Sequence, residues 1–229
     1  MTGFAQRLAG YLSAPYPLVV LRTYEEDRGL AILQQVAASL QRPATVWRPE
    51  EHADPAASFR QQLASWREPP RRGCLVALDA ARFLADPFAV RLLRANLGAM
   101  MAADATMVVL APQVDVPDGL ERDVVVLDVP LPTREELSAI GRRVLPGEGV
   151  DVERVATAAL GLTAREALRA FRRAGHVASS SRVGAPSGWE AAVLDEKRRL
   201  MDAGSALEFC EAGADLGAVE GGRYRADRP

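Results

Sequence analysis

The sequence predicts an α/β fold in which a five-stranded parallel sheet is sandwiched by helices and followed by a small all-helical domain. Short apolar runs alternate with helical patterns through the first half of the 229-residue chain, and parallel strands require such crossovers because no tight turn can join them. After Pro130 only helical patterns follow. A hydrophobic content of 48% is sufficient for one sizeable core and a smaller satellite domain.

Five runs of branched and apolar residues, each bounded by turn-forming residues, predict the strands. They comprise residues 17–23, 44–47, 73–79, 106–110 and 123–129. The third run, GCLVALD, has apolar residues on both faces, which is typical of a central strand covered by helices on each side.

The helices are predicted from apolar spacing and from the caps that open them. Asp54 before Pro55 and Asp86 before Pro87 each combine a capping side chain with proline at the first helical position. Further helix starts follow in the second half of the chain; they are Thr133 with Glu136, Asp151, and Thr163 with Glu166. The segment 176–188, ahead of a last helix, has too little apolar content to pack and is predicted to be a mobile loop.

Four parts are therefore predicted along the chain. They are an amino-terminal helix at 1–16, an α/β domain at 17–130, a helical lid-like domain at 131–204 and a linker at 205–229. In the first part, Phe4, Leu8 and Leu12 recur every four residues. This spacing forms one apolar stripe, which we expect to pack on the domain that follows.

Composition and charge exclude several classes of function. Lys and Arg total 28 against 30 acidic residues, so the net charge of -2 offers no attraction for a polyanion, and nucleic-acid binding is disfavoured. Cys74 and Cys210 lie far apart, and His52 and His176 have no second ligand at a useful spacing. We therefore predict no disulfide framework and no metal site. Without an apolar span or a signal peptide, we predict a cytoplasmic protein with no membrane partner.

The order of five parallel strands and a helical lid resembles the AAA+ ATPase module. That resemblance implies a Walker A loop, GxxxxGK[ST], after the first strand, where amides and a lysine hold the phosphates. Here the position carries RTYEEDRG, and the single lysine of the chain, Lys197, lies in the last predicted helix. Arginine does not replace that lysine, because its planar guanidinium is larger and differently hydrated. We therefore predict a degenerate phosphate loop.

The other working parts implied by the resemblance are also incomplete. Asp79 ends the third strand at the position of the magnesium-linked Walker B acid, but Ala80 follows where a glutamate is expected. Asp79 is then either a vestige of this site or an ordinary strand-end residue that caps the next turn. The polar sensor implied after the fourth strand falls on residues 111–113, where only Gln113 could bond to phosphate or water.

A closer resemblance extends from residue 17 to residue 222. LDAARFLADPFAVRLLRANLGAM, MVVLAPQVDVPDGLERDVVVLDVPLPTREEL, AALGLTAREALRAF and VLDEKRRLMDAGSALEF follow one another. This order resembles the region ahead of the catalytic module in a family of AAA ATPases, the hypothetical open reading frames of algal chloroplasts, cyanobacteria and other bacteria. LEFCEAGADLGAVEGG resembles the linker into the Walker A-bearing ATPase, although its AVEGG has a glutamate where the family has Val-Gly-Gly.

The resemblance implies a non-catalytic module for assembly or partner binding. Its partner would be an AAA ATPase module in cis or in trans, or a second copy. ATP and Mg²⁺ would enter only through that ATPase module, and the chain itself would bind no cofactor. The candidate partner-binding residues are Tyr24, Glu25, Glu26, Asp27, Arg28, Arg91 and Arg94, with Arg165, Arg169, Arg172 and Arg173 as a further basic face. For any single arginine of the basic helix faces, the favoured interpretation is a solvated side chain lying over apolar neighbours.

The alternative is an ATP-binding or ATP-hydrolysing AAA protein that uses an atypical phosphate loop. It would take phosphate contacts from Arg22 and Arg28 and hold the metal with Asp79. No other nucleophile-and-base arrangement is recognisable in the sequence. DNA handling, a third possibility, is disfavoured because aromatic side chains for base stacking are scarce.

Overall fold

The computed structural model describes residues 3–14, 16–146, 149–180 and 188–203. The chain divides into two compact units, of which the first is Met1–Pro132 with Thr163–Arg165, and the second is Thr133–Leu162 with Glu166–Pro229. The predicted four-part division of the chain stays a prediction. Its last part, residues 205–229, lies outside the described residues.

The first unit alternates helices and strands. Its elements are α1 (Gly3–Ser13), β1 (Leu18–Arg22), α2 (Glu26–Ser39), β2 (Ala44–Trp47), α3 (Pro55–Ser65), β3 (Cys74–Leu78), α4 (Pro87–Ala102), β4 (Thr106–Ala111) and β5 (Val124–Asp128). Two short 3₁₀ helices, Pro49–Glu51 and Ala80–Ala85, were not expected from the sequence.

The five strands form one parallel sheet in the order β2-β3-β4-β1-β5, which confirms the predicted fold class. β1 lies between β4 and β5, where Val20 is opposite Val109 on one side and Val126 on the other. All residues of β3 and β4 are buried, as expected for central strands covered on both faces.

Apolar side chains pack on both faces of the sheet. One cluster joins β1, β3 and β4 to α3 and α4 through residues such as Phe59 and Leu93. The other cluster joins the opposite face of the same strands to α1 and α2. Phe4, Leu8 and Leu12 of α1 are buried in this second cluster, in agreement with the predicted stripe.

Two predicted caps position the helices of the first unit. Asp54 accepts a hydrogen bond from the backbone N–H of Ala57 at 2.9 Å, and Asp86 accepts one from Phe88 at 2.9 Å. Each cap satisfies a backbone N–H that has no partner within its own helix. The starts of α3 and α4 are therefore determined by local sequence, as predicted.

The second unit contains the helices α5 (Arg134–Val144), α6 (Val152–Ala158), α8 (Gly188–Ala203) and, except for its first two residues, α7 (Ala164–Ser180). The predicted capping box opens α5, where Thr133 N donates to Glu136 Oε2 at 2.8 Å and Glu136 N donates to Thr133 Oγ1 at 3.3 Å. Phe171 of α7 is fully buried in the core of this unit. None of the helices in the described part of the chain is long and apolar enough to cross a membrane.

The loop predicted at 176–188 is wrong in its first part. α7 continues through this stretch to Ser180, and residues 181–187 lie outside the described residues. A helix that has already formed gains one hydrogen bond for each residue added, so a few serines do not stop it. The first glycine and proline after His176 come only at Gly184 and Pro186.

Candidate functional site

The carboxyl ends of the parallel strands meet at one edge of the sheet, where ligands of open α/β folds bind at the point of strand-order reversal. β1 lies next to β4 and β5, whereas the chain leaves β1 to form β2 at the far edge. The turn 23–25, Asp79 and residues 112–113 follow β1, β3 and β4, so they all belong to this edge. This edge is the candidate functional site.

Arg22, the last residue of β1, forms an ion pair with its neighbour on β5. Its Nε and Nη2 donate to the two carboxylate oxygens of Asp128 at 2.7 and 2.9 Å. The hydrogen bond from Arg22 holds the pKa of Asp128 below its usual range. Both side chains are exposed, so the pair orients the guanidinium but contributes little stability.

Side chains of the turn after β1 form contacts within the turn and with residues far away in sequence, including Glu25 Oε1, which accepts from the backbone N–H of Ala164 at 2.5 Å. Glu25 N donates to Thr23 Oγ1 at 2.9 Å, and the buried Glu25 carboxylate lies 3.7 Å from Arg28 Nη1. The same Arg28 nitrogen donates to the carbonyl of Pro130 at 2.5 Å. A Cβ added to Gly29 would lie 3.0 Å from the Thr23 methyl, so this glycine allows α2 to approach the sheet closely.

Carboxylates gather next to this turn. The pKa of Glu26 is raised, first because the side chain is partly desolvated, and then because Asp79, Glu50 and Asp27 repel its charge; Arg48 opposes the shift. Like charges at close range disfavour further negative charge. These carboxylates would therefore repel a triphosphate at the position where the AAA+ resemblance would place one.

Asp79 occupies the predicted strand end but does not cap the turn that follows. Its backbone is left-handed, with φ 51°, and its N–H donates to the carbonyl of Leu110 at 2.8 Å. The side chain is exposed and makes no capping hydrogen bond to the 3₁₀ helix Ala80–Ala85. Among the described residues, no group of three or more His, Cys, Asp or Glu side chains could hold a metal ion. The role of Asp79 stays a prediction.

A cavity of about 930 Å³ lies beside this edge, between the 3₁₀ helix Ala80–Ala85, the start of α4 and the connection 113–118. We call it the arginine groove. Its charged lining residues are Arg82, Arg91, Arg94, Asp115 and Asp118, and Gln113 also lines it. The sequence identified Arg91, Arg94 and Gln113, but not Arg82, because nothing in AARFLADP indicates a 3₁₀ helix that faces α4.

The predicted partner-binding residues thus fall into two places. Tyr24 is 73% exposed at the carboxyl edge, with the other turn residues around it. Arg91 and Arg94 line the arginine groove, which contains no residue of the 24–28 turn. Sequence alone placed these residues in one set, since it could not show which of them share a surface.

The basic residues of α7 differ in their surroundings. Arg169 and Arg172 are exposed. Arg165, near the start of the helix, is also exposed, but its Nη2 donates to Asp27 Oδ2 at 2.6 Å. Arg173 is half-buried, pairs with Glu196 and lies 3.7 Å from Asp195, both on α8. Only part of the predicted basic face is therefore accessible.

The family described as SpoVK-like AAA ATPase, N-terminal domain, matches residues 4–129. This range runs from α1 to the residue after β5, so it contains the whole sheet, the carboxyl edge and the arginine groove. No curated protein matches the sequence.

Proposed function

Because this chain belongs to the SpoVK-like AAA ATPase family, whose N-terminal domain it contains, we propose that it acts as a non-catalytic AAA-like module for assembly or partner binding. The observation that carries this proposal is the negative charge at the carboxyl edge. The pKa of Glu26, beside the turn where phosphates would bind, is raised first by desolvation and then by repulsion from Asp79, Glu50 and Asp27.

The pairing of the two nearby arginines supports the same proposal. An atypical phosphate loop would need the guanidinium groups of Arg22 and Arg28. Arg22 is bound by both oxygens of Asp128, and Arg28 contacts Glu25 and the carbonyl of Pro130. A nucleotide would have to displace these contacts and still meet the carboxylate of Glu26. No specific observation favours the ATP-binding alternative.

The proposal includes three finer points. The phosphate loop is degenerate, since RTYEEDRG contains neither a second glycine nor a lysine. ATP and Mg²⁺ act only through an attached or partner ATPase module, in cis or in trans, and self-association is a further mode of assembly. Kinship with the chloroplast and cyanobacterial open-reading-frame family, and a location in the cytoplasm, both stay predictions.

Titration calorimetry with ATP and with ADP, each with Mg²⁺, tests the absence of a nucleotide site. We expect no saturable heat. Saturable micromolar binding would contradict the proposal of a non-catalytic module. If that binding were lost in Arg28→Gln but kept in the matched exposed variant Arg71→Gln, the nucleotide site would be assigned to the atypical loop. Sedimentation velocity over a concentration series, with and without an ATPase module of the same family, tests assembly. Unchanged sedimentation throughout would count against that role.

A further inference from the structure

We infer that the arginine groove binds a peptide segment of a partner protein in which apolar side chains are flanked by carboxylates. This inference rests on the proposed function, since it names the class of partner that the module would recognise. The groove lies wholly within the first unit and within the residues matched by the family.

The groove has the volume and the apolar lining that are typical of a binding site. Its volume of about 930 Å³ falls within the range of about 300–1,000 Å³ that is usual for ligand pockets. Much of its lining is apolar, including Leu84, Val90 and Val116. Leu84 is fully buried, whereas Val90 and Val116 are half-buried and so offer apolar surface to a ligand. Apolar side chains of a bound segment would be desolvated against them.

Three arginine side chains supply the positive charge of the groove. Within the described part of the chain, Arg82, Arg91 and Arg94 form no ion pair with a carboxylate, whereas Arg60 pairs with Asp86, which precedes α4, at 2.9 Å. The guanidinium of Arg82 lies 4.7 Å from the Phe83 ring centroid, which restricts its position. Planar guanidinium groups recognise carboxylates through paired hydrogen bonds, and arginine clusters recur in the recognition of acidic motifs.

The remaining charged residues of the groove predict which substitutions should weaken binding and which should strengthen it. Asp115 and Asp118 bring two carboxylates to the connection 113–118, against three guanidinium groups from the 3₁₀ helix and α4. A Cβ on Gly119 would lie 3.2 Å from Arg94 Nη1, so Arg94 extends toward this connection. Arg91 and Arg82 are then the principal contacts for a ligand carboxylate. Removing Arg91 should weaken binding, whereas neutralising Asp115 should strengthen it.

The lining favours a peptide over a nucleic acid. It contains no aromatic side chain on which a base could stack, and single-stranded nucleic acids depend on such stacking. The chain also carries a net charge of -2, which supplies no general attraction for a polyanion. A phosphate backbone alone would make no use of the apolar floor.

Fluorescence anisotropy of the full chain with a short fluorescein-labelled peptide that alternates leucine with glutamate tests the inference. We expect saturable binding that a matched leucine–glutamine peptide does not show. Arg91→Gln should weaken binding by about tenfold, the usual worth of a hydrogen bond to a charged group. Arg82→Gln should also weaken it, and Asp115→Asn should strengthen it. Arg71→Gln, which removes the same charge from an exposed position, should leave it unchanged.

Three results would overturn the inference: no binding of the acidic peptide, equal weakening by Arg91→Gln and Arg71→Gln, or a labelled single-stranded oligonucleotide that binds in place of the peptide. Circular dichroism of each variant shows whether the fold is retained. Failure of the peptide experiment leaves the non-catalytic module standing and removes only the groove assignment. Saturable binding of Mg–ATP would instead defeat the module while leaving the peptide result intact.

Discussion

Replacing Asp104 by Asn should destabilise the first unit, because it removes the counter-charge of a buried guanidinium. The Arg42 side chain is 0% exposed, and its Nη2 donates to Asp104 Oδ1 at 2.5 Å while its Nη1 donates to the Asp104 carbonyl at 2.7 Å. Asp104 has a left-handed backbone with φ 52°, which asparagine also tolerates. The substitution therefore changes the charge with little change of shape.

The magnitude follows from the burial of the two partners. Removing one member of a fully buried ion pair costs about 3–5 kcal/mol. The Asp104 side chain is 40% exposed, and the hydrogen bond to its carbonyl survives the substitution. We therefore expect a loss of about 1–2 kcal/mol in the free energy of unfolding.

Urea unfolding followed by tryptophan fluorescence measures this loss. In a Trp189→Phe background, the signal comes from Trp47 and Trp66, which are both buried in the core of the first unit. Asp128→Asn is the matched control, since it also removes a carboxylate from an arginine pair, but from the exposed pair with Arg22. We expect no measurable change in the control. Equal losses in the two variants would refute the argument from burial.

Two further predictions concern titratable groups. The pKa of Glu26 is raised in the folded state by desolvation and by neighbouring carboxylates, so its ionisation opposes folding above that pKa and has no effect below the unfolded value. Glu26→Gln should therefore be more stable than the parent at neutral pH and lose this advantage below about pH 4 in urea unfolding; an advantage independent of pH would contradict the assignment. Burial raises the pKa of Cys74 to about 12. Maleimide should accordingly modify Cys74 only when urea unfolds the chain, which peptide mass analysis measures. Equal labelling rates with and without urea would show that the thiol is accessible in the folded protein.

Much of the candidate site depends on residues that are far apart in sequence. The turn after β1 could be identified from RTYEEDRG alone, because strand, turn and helix signals are local. The proximity of Glu50 to Glu26, which raises the pKa of Glu26, could not be predicted from sequence. It depends on how β2 and the following 3₁₀ helix lie beside the end of β1. The arginine groove could not be predicted either, because its lining comes from residues 81–94 and 113–118, which are separated along the chain.

The sequence by itself determined the fold class, the order of the elements and most of the helix starts. Apolar periodicity and caps such as Asp54 and Thr133 act within a few residues, so a single chain displays them directly. Only the tertiary structure decided the strand order, the acidic surroundings of Glu26 and the placement of Arg82 beside Arg91 and Arg94. The physical reason is that electrostatic repulsion and the shape of a cavity depend on distances in space. The positions of residues along the chain do not specify these distances.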